Sequence, residues 1–184
     1  SDIQDVPFAD DDCAIAEGCV NGPGTRRLLK FSTTTPNSGT ADLRFGSPDD
    51  SDIFEYSECH EHYHFTGYAD YSLIASDGSL AASGHKQAFC LEDYESWEGH
   101  GRPHYDCSFQ GITQGWADTY SSYLDCQWID ITEVAAGSYT LRVTLNPDEI
   151  IPELSYDNNV MEVPVEVLDP EDEPPVTDNC TTLA

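Results

Sequence analysis

A single all-β domain, β-sandwich-like with long disulfide-tied loops and little helix, is what these 184 residues predict. Short runs rich in β-branched and aromatic residues are punctuated by turn residues along most of the chain. One run alternates cleanly, with Tyr139, Leu141, Val143 and Leu145 on one face and Thr140, Arg142 and Thr144 on the other, the period of a half-buried strand. Stripes of 3.6-residue period are absent, and at most Ala117 to Tyr123 suits a short helix.

Residues 1–25 form an acidic, glycine-containing N-terminal segment in which Asp10, Asp11 and Asp12 run into Cys13. Residues 26–168 make up the domain proper. Strands are expected at Leu28–Thr33, Tyr68–Ala75, Trp128–Thr132, Tyr139–Leu145 and Val160–Val167. Asp77-Gly78 reads as a hairpin turn. Residues 91–127 show little strand pattern, and a loop of that length is usually functional. Residues 169–184 are an acidic, proline-rich run that reads as a flexible tail.

Thirty-five acidic residues against seven basic ones give a formal charge of −28. That balance excludes a nucleic-acid binder, which needs a basic footprint, and docking on anionic lipid. It fits a soluble monomer with a salt-adapted or secreted surface, or one that steers cationic substrates. Seven cysteines point to an oxidising, extracellular compartment, and the odd count leaves one thiol over. No run approaches the ~20 apolar residues of a membrane span, so no membrane insertion is expected. No signal peptide opens the chain, which suits a mature fragment of a secreted precursor.

Half of the six histidines fall within Cys59-His60-Glu61-His62-Tyr63-His64. At spacing two on an extended chain, His60, His62 and His64 point to one face across roughly 13 Å, and a bend or twist brings them onto one ion. Imidazole suits copper, zinc, iron or nickel, and three ligands leave positions open for water or substrate, as in a catalytic metal site. The spacing alone selects no metal. The bland reading is a chance surface cluster.

These residues, followed by Gly84-His85-Lys86-Gln87-Ala88-Phe89-Cys90, Gln110-Gly111-Ile112-Thr113, Asp118-Thr119-Tyr120, Asp125-Cys126-Gln127-Trp128 and Asn158-Asn159-Val160, resemble the catalytic domain of lysyl oxidases over roughly Cys13 to Val165. The acidity and the departures in cysteine pattern suggest a microbial branch of that family. The resemblance implies oxidative deamination of a primary amine, peptidyl-lysine or a small amine, to an aldehyde, with O₂ reduced to hydrogen peroxide and ammonia released. It implies copper on His60, His62 and His64, with zinc able to take its place. It also implies the cofactor lysine tyrosylquinone, made from Lys86 and Tyr120. An electron-rich phenol beside a metal can be oxidised to a quinone, and a buried lysine loses its proton readily enough to add to the ring. Lys86 is one of two lysines in the chain, which weakens its reading as an ordinary surface charge. A base must then remove a proton from the substrate carbon; Asp118 is the first candidate and His85 the second.

The resemblance further implies a small disulfide loop from Cys13 to Cys19 within the first segment, and a Cys59–Cys107 pair tying the histidine strand to the long loop. The family's usual partners of Cys90 and Cys126 are missing, Trp116 standing where a cysteine is expected, so Cys90–Cys126 is predicted as a replacement bridge with Cys180 left over. Glu153, Asn158 and Asn159 match oxygen ligands of a calcium site in the family, with Ser155 where the family has an aspartate; plain turn chemistry accounts for the same residues equally well. Two rivals remain from the residues: a metal-binding β-sandwich serving as a surface or adhesion module without catalysis, and a hydrolase or oxygenase using the three histidines alone. Neither has a use for Lys86 with Tyr120.

Overall fold

The computed structural model describes residues 2–50, 52–59, 61–65, 67–84, 90–98 and 101–169, the side chains of Asp50 and His62 excepted. In chain order the first elements are β1 (Asp2–Phe8), α1 (Cys13–Ala16), β2 (Gly24–Lys30), β3 (Thr33–Pro36), β4 (Leu43–Gly46), β5 (Phe54–Ser57), β6 (His62–Phe65), β7 (Ala69–Ala75) and β8 (Leu80–Ser83). They are followed by β9 (Glu95–Ser96), β10 (Gln110–Ile112), β11 (Trp116–Tyr120), β12 (Trp128–Asp130), β13 (Gly137–Leu145) and β14 (Val160–Val167). The fold is all-β, as expected, and its strands pair antiparallel in five small sheets ordered β1-β2-β12, β10-β4, β3-β11-β9, β14-β13-β7-β8 and β5-β6.

The four-stranded sheet follows from the alternation. Leu141 and Val143 are buried while Arg142 between them is exposed, and they face Leu73 and Tyr71 of β7 in register. Asp77-Gly78 makes the β7–β8 turn: Gly78 adopts φ +85°, and the Asp77 carboxylate accepts the Ser79 amide at 2.9 Å. Residues 117–120 are strand rather than helix, because Ala117 to Tyr120 pair with Thr33 to Pro36.

One core gathers Leu29, Phe31, Phe65, Tyr68, Tyr71, Leu73, Leu91, Ile112, Tyr120 and Ile129. A second gathers Phe8, Ala14, Cys19, Val20, Leu28, Cys126 and Trp128. The acidic first segment therefore shares a core with β2 and β12, and β1 pairs with β2 along its whole length.

The three disulfides of the described residues are Cys13–Cys59, Cys19–Cys126 and Cys90–Cys107, which corrects all three expected pairings. Cys13 and Cys19 do not close a small loop. Cys13 opens α1, capped by Asp12, whereas Cys19 lies beyond its end, packed with Cys126 in the second core. Cys90 meets Cys107 because the chain on either side doubles back: the Gly111 amide donates to the Leu91 carbonyl at 3.0 Å and the Asp93 amide to that of Tyr105 at 3.2 Å. Cys180 and the tail from residue 170 lie outside the described residues.

Candidate active site

Strand β11 carries two inward-facing polar residues at spacing two, Asp118 and Tyr120, which are 2% and 3% exposed. Thr119 between them points outward, where its hydroxyl meets Thr34 at 2.8 Å and Glu95 at 2.6 Å. The Asp118 carboxylate hydrogen-bonds with the Tyr120 phenol and accepts the Glu92 amide at 3.3 Å. The phenol also lies 3.4 Å from the Cys90 carbonyl oxygen, to which it can donate. Tyr68 packs edge-on against Tyr120, ring centroids 4.8 Å apart at 82°, and its own hydroxyl is held by Thr35 at 2.5 Å.

Burial dominates the electrostatics. Loss of solvent pushes the Asp118 carboxyl up to about 7, aided by the charge of Glu92 and opposed by hydrogen bonds from Tyr120 and the Glu92 amide. Burial, with the neighbouring Asp118 charge behind it, raises the Tyr120 phenol well above its ordinary value. Glu92, half-buried, is raised by desolvation and by Asp106 and Asp93. Near neutral pH the Asp118 carboxyl thus exchanges a proton easily, the condition for general acid–base work.

In the described part of the histidine segment, β6 begins at His62. Glu61 has φ +56°, a left-handed position that turns the chain between His60 and β6. His62 and His64 occupy alternate positions of β6, opposite Ser57 and Glu55 of β5. His64 is half-buried. The hairpin is anchored by Cys13–Cys59 and by the Ser57 hydroxyl, which donates to Glu17 at 2.6 Å. His60, His85 and Lys86 lie outside the described residues, as does the His62 side chain.

Among the described residues, Glu17, Cys19 and Cys126 also bring ligand-type atoms within 4.8 Å of one another. Both sulfurs are consumed in the Cys19–Cys126 disulfide, so that group is no metal centre. The predicted calcium residues form a hydrogen-bonded corner. Glu153 accepts the side-chain amide of Asn159 at 2.8 Å and that of Asn146 at 2.7 Å, and the Asn146 oxygen in turn accepts the Ile151 amide at 3.0 Å. The amides donate their nitrogens to the carboxylate, an arrangement that turn chemistry alone produces. Asn158 is exposed beside them. No ion is assigned to this corner.

The structure thus brings Asp118 and Tyr120 together and sets β6 against the same core through Phe65. Sequence reasoning missed Glu92, Tyr68, Asn146 and the Cys90 carbonyl. Nothing in the local pattern marks them, since their roles arise from contacts across 26 to 52 residues for the first two.

The family model described as lysyl oxidase matches residues 3–180 of the chain. Lysyl oxidase homolog 2 of Rattus norvegicus is 39% identical over 171 residues, covering 86% of this chain and 22% of that protein. Lysyl oxidase homolog 2 of Xenopus tropicalis is also 39% identical, and homolog 2A of Danio rerio 38%, with 86% of this chain covered in each case. The chain spans about a fifth of the length of these relatives.

Proposed function

The chain belongs to the lysyl oxidase family, and from that premise we propose that it is a secreted copper- and lysine tyrosylquinone-dependent amine oxidase. Its substrate is a primary amine, either a lysine side chain of a peptide or a small amine, and O₂ is the oxidant. The buried Asp118–Tyr120 pair carries the reading, because an inward carboxylate beside an inward phenol is costly for a purely structural module. The donor chemistry fits copper: imidazoles at alternate positions of β6 follow a left-handed bend at Glu61. His60, His62 and His64 would hold the metal, and Lys86 and Tyr120 would form the quinone. Together, metal and quinone supply the electron sink that turns amine and O₂ into aldehyde, hydrogen peroxide and ammonia.

The chain's own residues do the rest. Asp118 accepts the proton taken from the substrate carbon, its raised affinity letting it release that proton again near neutral pH. The Glu92 amide holds the carboxylate in place. Tyr68 fixes the plane of the Tyr120 ring from its edge, and the surrounding core excludes water from the phenol. Four residues of chain connect Lys86 to Cys90, whose carbonyl meets the phenol. Chain length alone keeps the Lys86 Cα within about 14 Å of that of Cys90, which leaves its side chain in range of the Tyr120 ring for a cross-link. The acidic surface concentrates cationic amines, an effect that salt weakens.

Peptide mass spectrometry on copper-loaded, oxygen-exposed protein tests the proposal. A peptide joining Lys86 to Tyr120 is expected, with quinone absorption that Lys86→Arg abolishes. Amine oxidation by protein in which both residues are unmodified would overturn the mechanism.

A further inference from the structure

We propose that Gln110 is a positioning residue that ties β6, the strand of His62 and His64, to the Cys90–Glu92 segment bordering Tyr120 and Asp118, and so sets the metal-binding strand at its working distance from the cofactor tyrosine. The inference rests on the amine-oxidase reading above and adds to it a residue with no contact to substrate.

Gln110 is fully buried. Its Oε1 accepts the Leu91 amide at 3.0 Å, across 19 residues, and its Nε2 donates to the Tyr63 carbonyl at 3.4 Å, across 47. One partner is a donor and the other an acceptor, so only one orientation of the amide serves both. Tyr63 lies between His62 and His64, while Leu91 lies between the Cys90 carbonyl that meets the phenol and the Glu92 amide that holds Asp118. A single side chain therefore spans the two halves of the candidate site.

The residues after Gln110 make that bridge rigid. Gly111 donates its amide to the Leu91 carbonyl at 3.0 Å, so Leu91 is held at both its N–H and its C=O. A Cβ on Gly111 would sit 2.4 Å from the Leu43 carbonyl oxygen and 2.6 Å from the Tyr105 ring, so β10 is packed too closely to drift. Thr113 fastens Asp93 through its amide at 2.7 Å and its hydroxyl. An apolar side chain of similar volume would fill the space of Gln110 but leave the buried Leu91 amide without a partner. A buried amide with a partner at both its oxygen and its nitrogen is what a registry role requires.

The test compares wild type with Gln110→Met and with Val143→Ala, a control that loses packing in the same core but none of the Gln110 hydrogen bonds. All are loaded with copper to equal occupancy and exposed to O₂. Gln110→Met should form the Lys86–Tyr120 cross-link at least about tenfold more slowly, since a misplacement near 1 Å costs up to ~10²-fold. Its copper electron paramagnetic resonance spectrum should differ from wild type. Val143→Ala should keep both the wild-type rate and the wild-type spectrum. A wild-type rate and spectrum in Gln110→Met would overturn the proposal, as would equal slowing in the control. If wild type forms no cross-link, the amine-oxidase reading fails, and the copper spectra alone decide whether Gln110 positions β6. If wild type binds no copper, both fall. Should Gln110→Met not fold, Gln110→Glu gives the same comparison, keeping the acceptor for Leu91 and losing the donor to Tyr63.

Discussion

In the β14-β13-β7-β8 sheet, β13 keeps register with β14 from Gly137 to Thr144 and with β7 from Tyr139 to Leu145. Around Asp118 the ladders are short: β11 meets β3 over Ala117 to Tyr120 and β9 only at Trp116 and Ala117. There, side chains take the place of main-chain partners. Asp93 gathers the amides of His104, Tyr105 and Thr113, Asn37 reaches the carbonyls of Ala41 and Ile112, and Asp42 accepts the amide of Gln114. The Cys90–Cys107 disulfide clamps the same region. A long ladder spreads its stability over many equivalent bonds. A region that must aim a carboxylate and a phenol inward is held instead by a few bonds that cannot substitute for one another, so single losses there cost more.

The largest effect should come from Asp118→Asn, which removes the proposed base. Turnover of a primary amine by matured protein should fall ~10²- to 10⁴-fold. Wild-type kcat/KM should rise with pH through about 7 as the carboxyl ionises, and the variant should lose that limb. An unchanged pH profile would remove Asp118 from the role. The same group carries a stability signature. Its folded pKa lies above the ordinary 3.8, so its relative contribution is fully present below that value and is lost as pH rises through about 7. The melting temperature of Asp118→Asn relative to wild type should therefore climb between pH 4 and pH 7.

Next in size is removal of the clamp. Replacing both Cys90 and Cys107 by serine opens a loop of 17 residues and should cost about 3 kcal/mol in denaturant unfolding. Amide exchange should quicken at β11 more than at β13; equal loss in both would mean that the two regions unfold as one. Gly111→Ala should cost ~1–3 kcal/mol, since the neighbours it meets are backbone and a packed ring. At the other end stands the exposed Arg142–Glu162 pair of the regular sheet, 44% and 49% exposed with a 2.7 Å contact. Arg142→Met should move the unfolding midpoint by less than about 0.5 kcal/mol. A larger change would show that the ladder is less evenly supported than its register implies.

Strands β7, β13 and β14 and the turn at Asp77-Gly78 were legible in the sequence, because alternation and turn chemistry are local. The short strands between residues 91 and 127 were not, and Ala117 to Tyr123 even suited a short helix. The extended form of Ala117 to Tyr120 comes from pairing with Thr33 to Pro36, some 85 residues away. Asp118 and Tyr120 were legible as candidate site residues through the family resemblance, and their burial side by side was not. Tyr68, Glu92 and the Gln110 bridge were not, since each acts through a partner remote in sequence.

By itself, then, the sequence determined the all-β class, the family, the acidic surface and the residue types available for chemistry. All of these reside in local pattern, motif order or composition. Only the tertiary structure decided which cysteines pair, since Cys13, Cys19 and Cys90 find partners 46, 107 and 17 residues away through packing rather than spacing. It also decided the protonation of Asp118. Desolvation is a property of what surrounds a carboxyl, and here the surroundings are a closed core built from both ends of the chain.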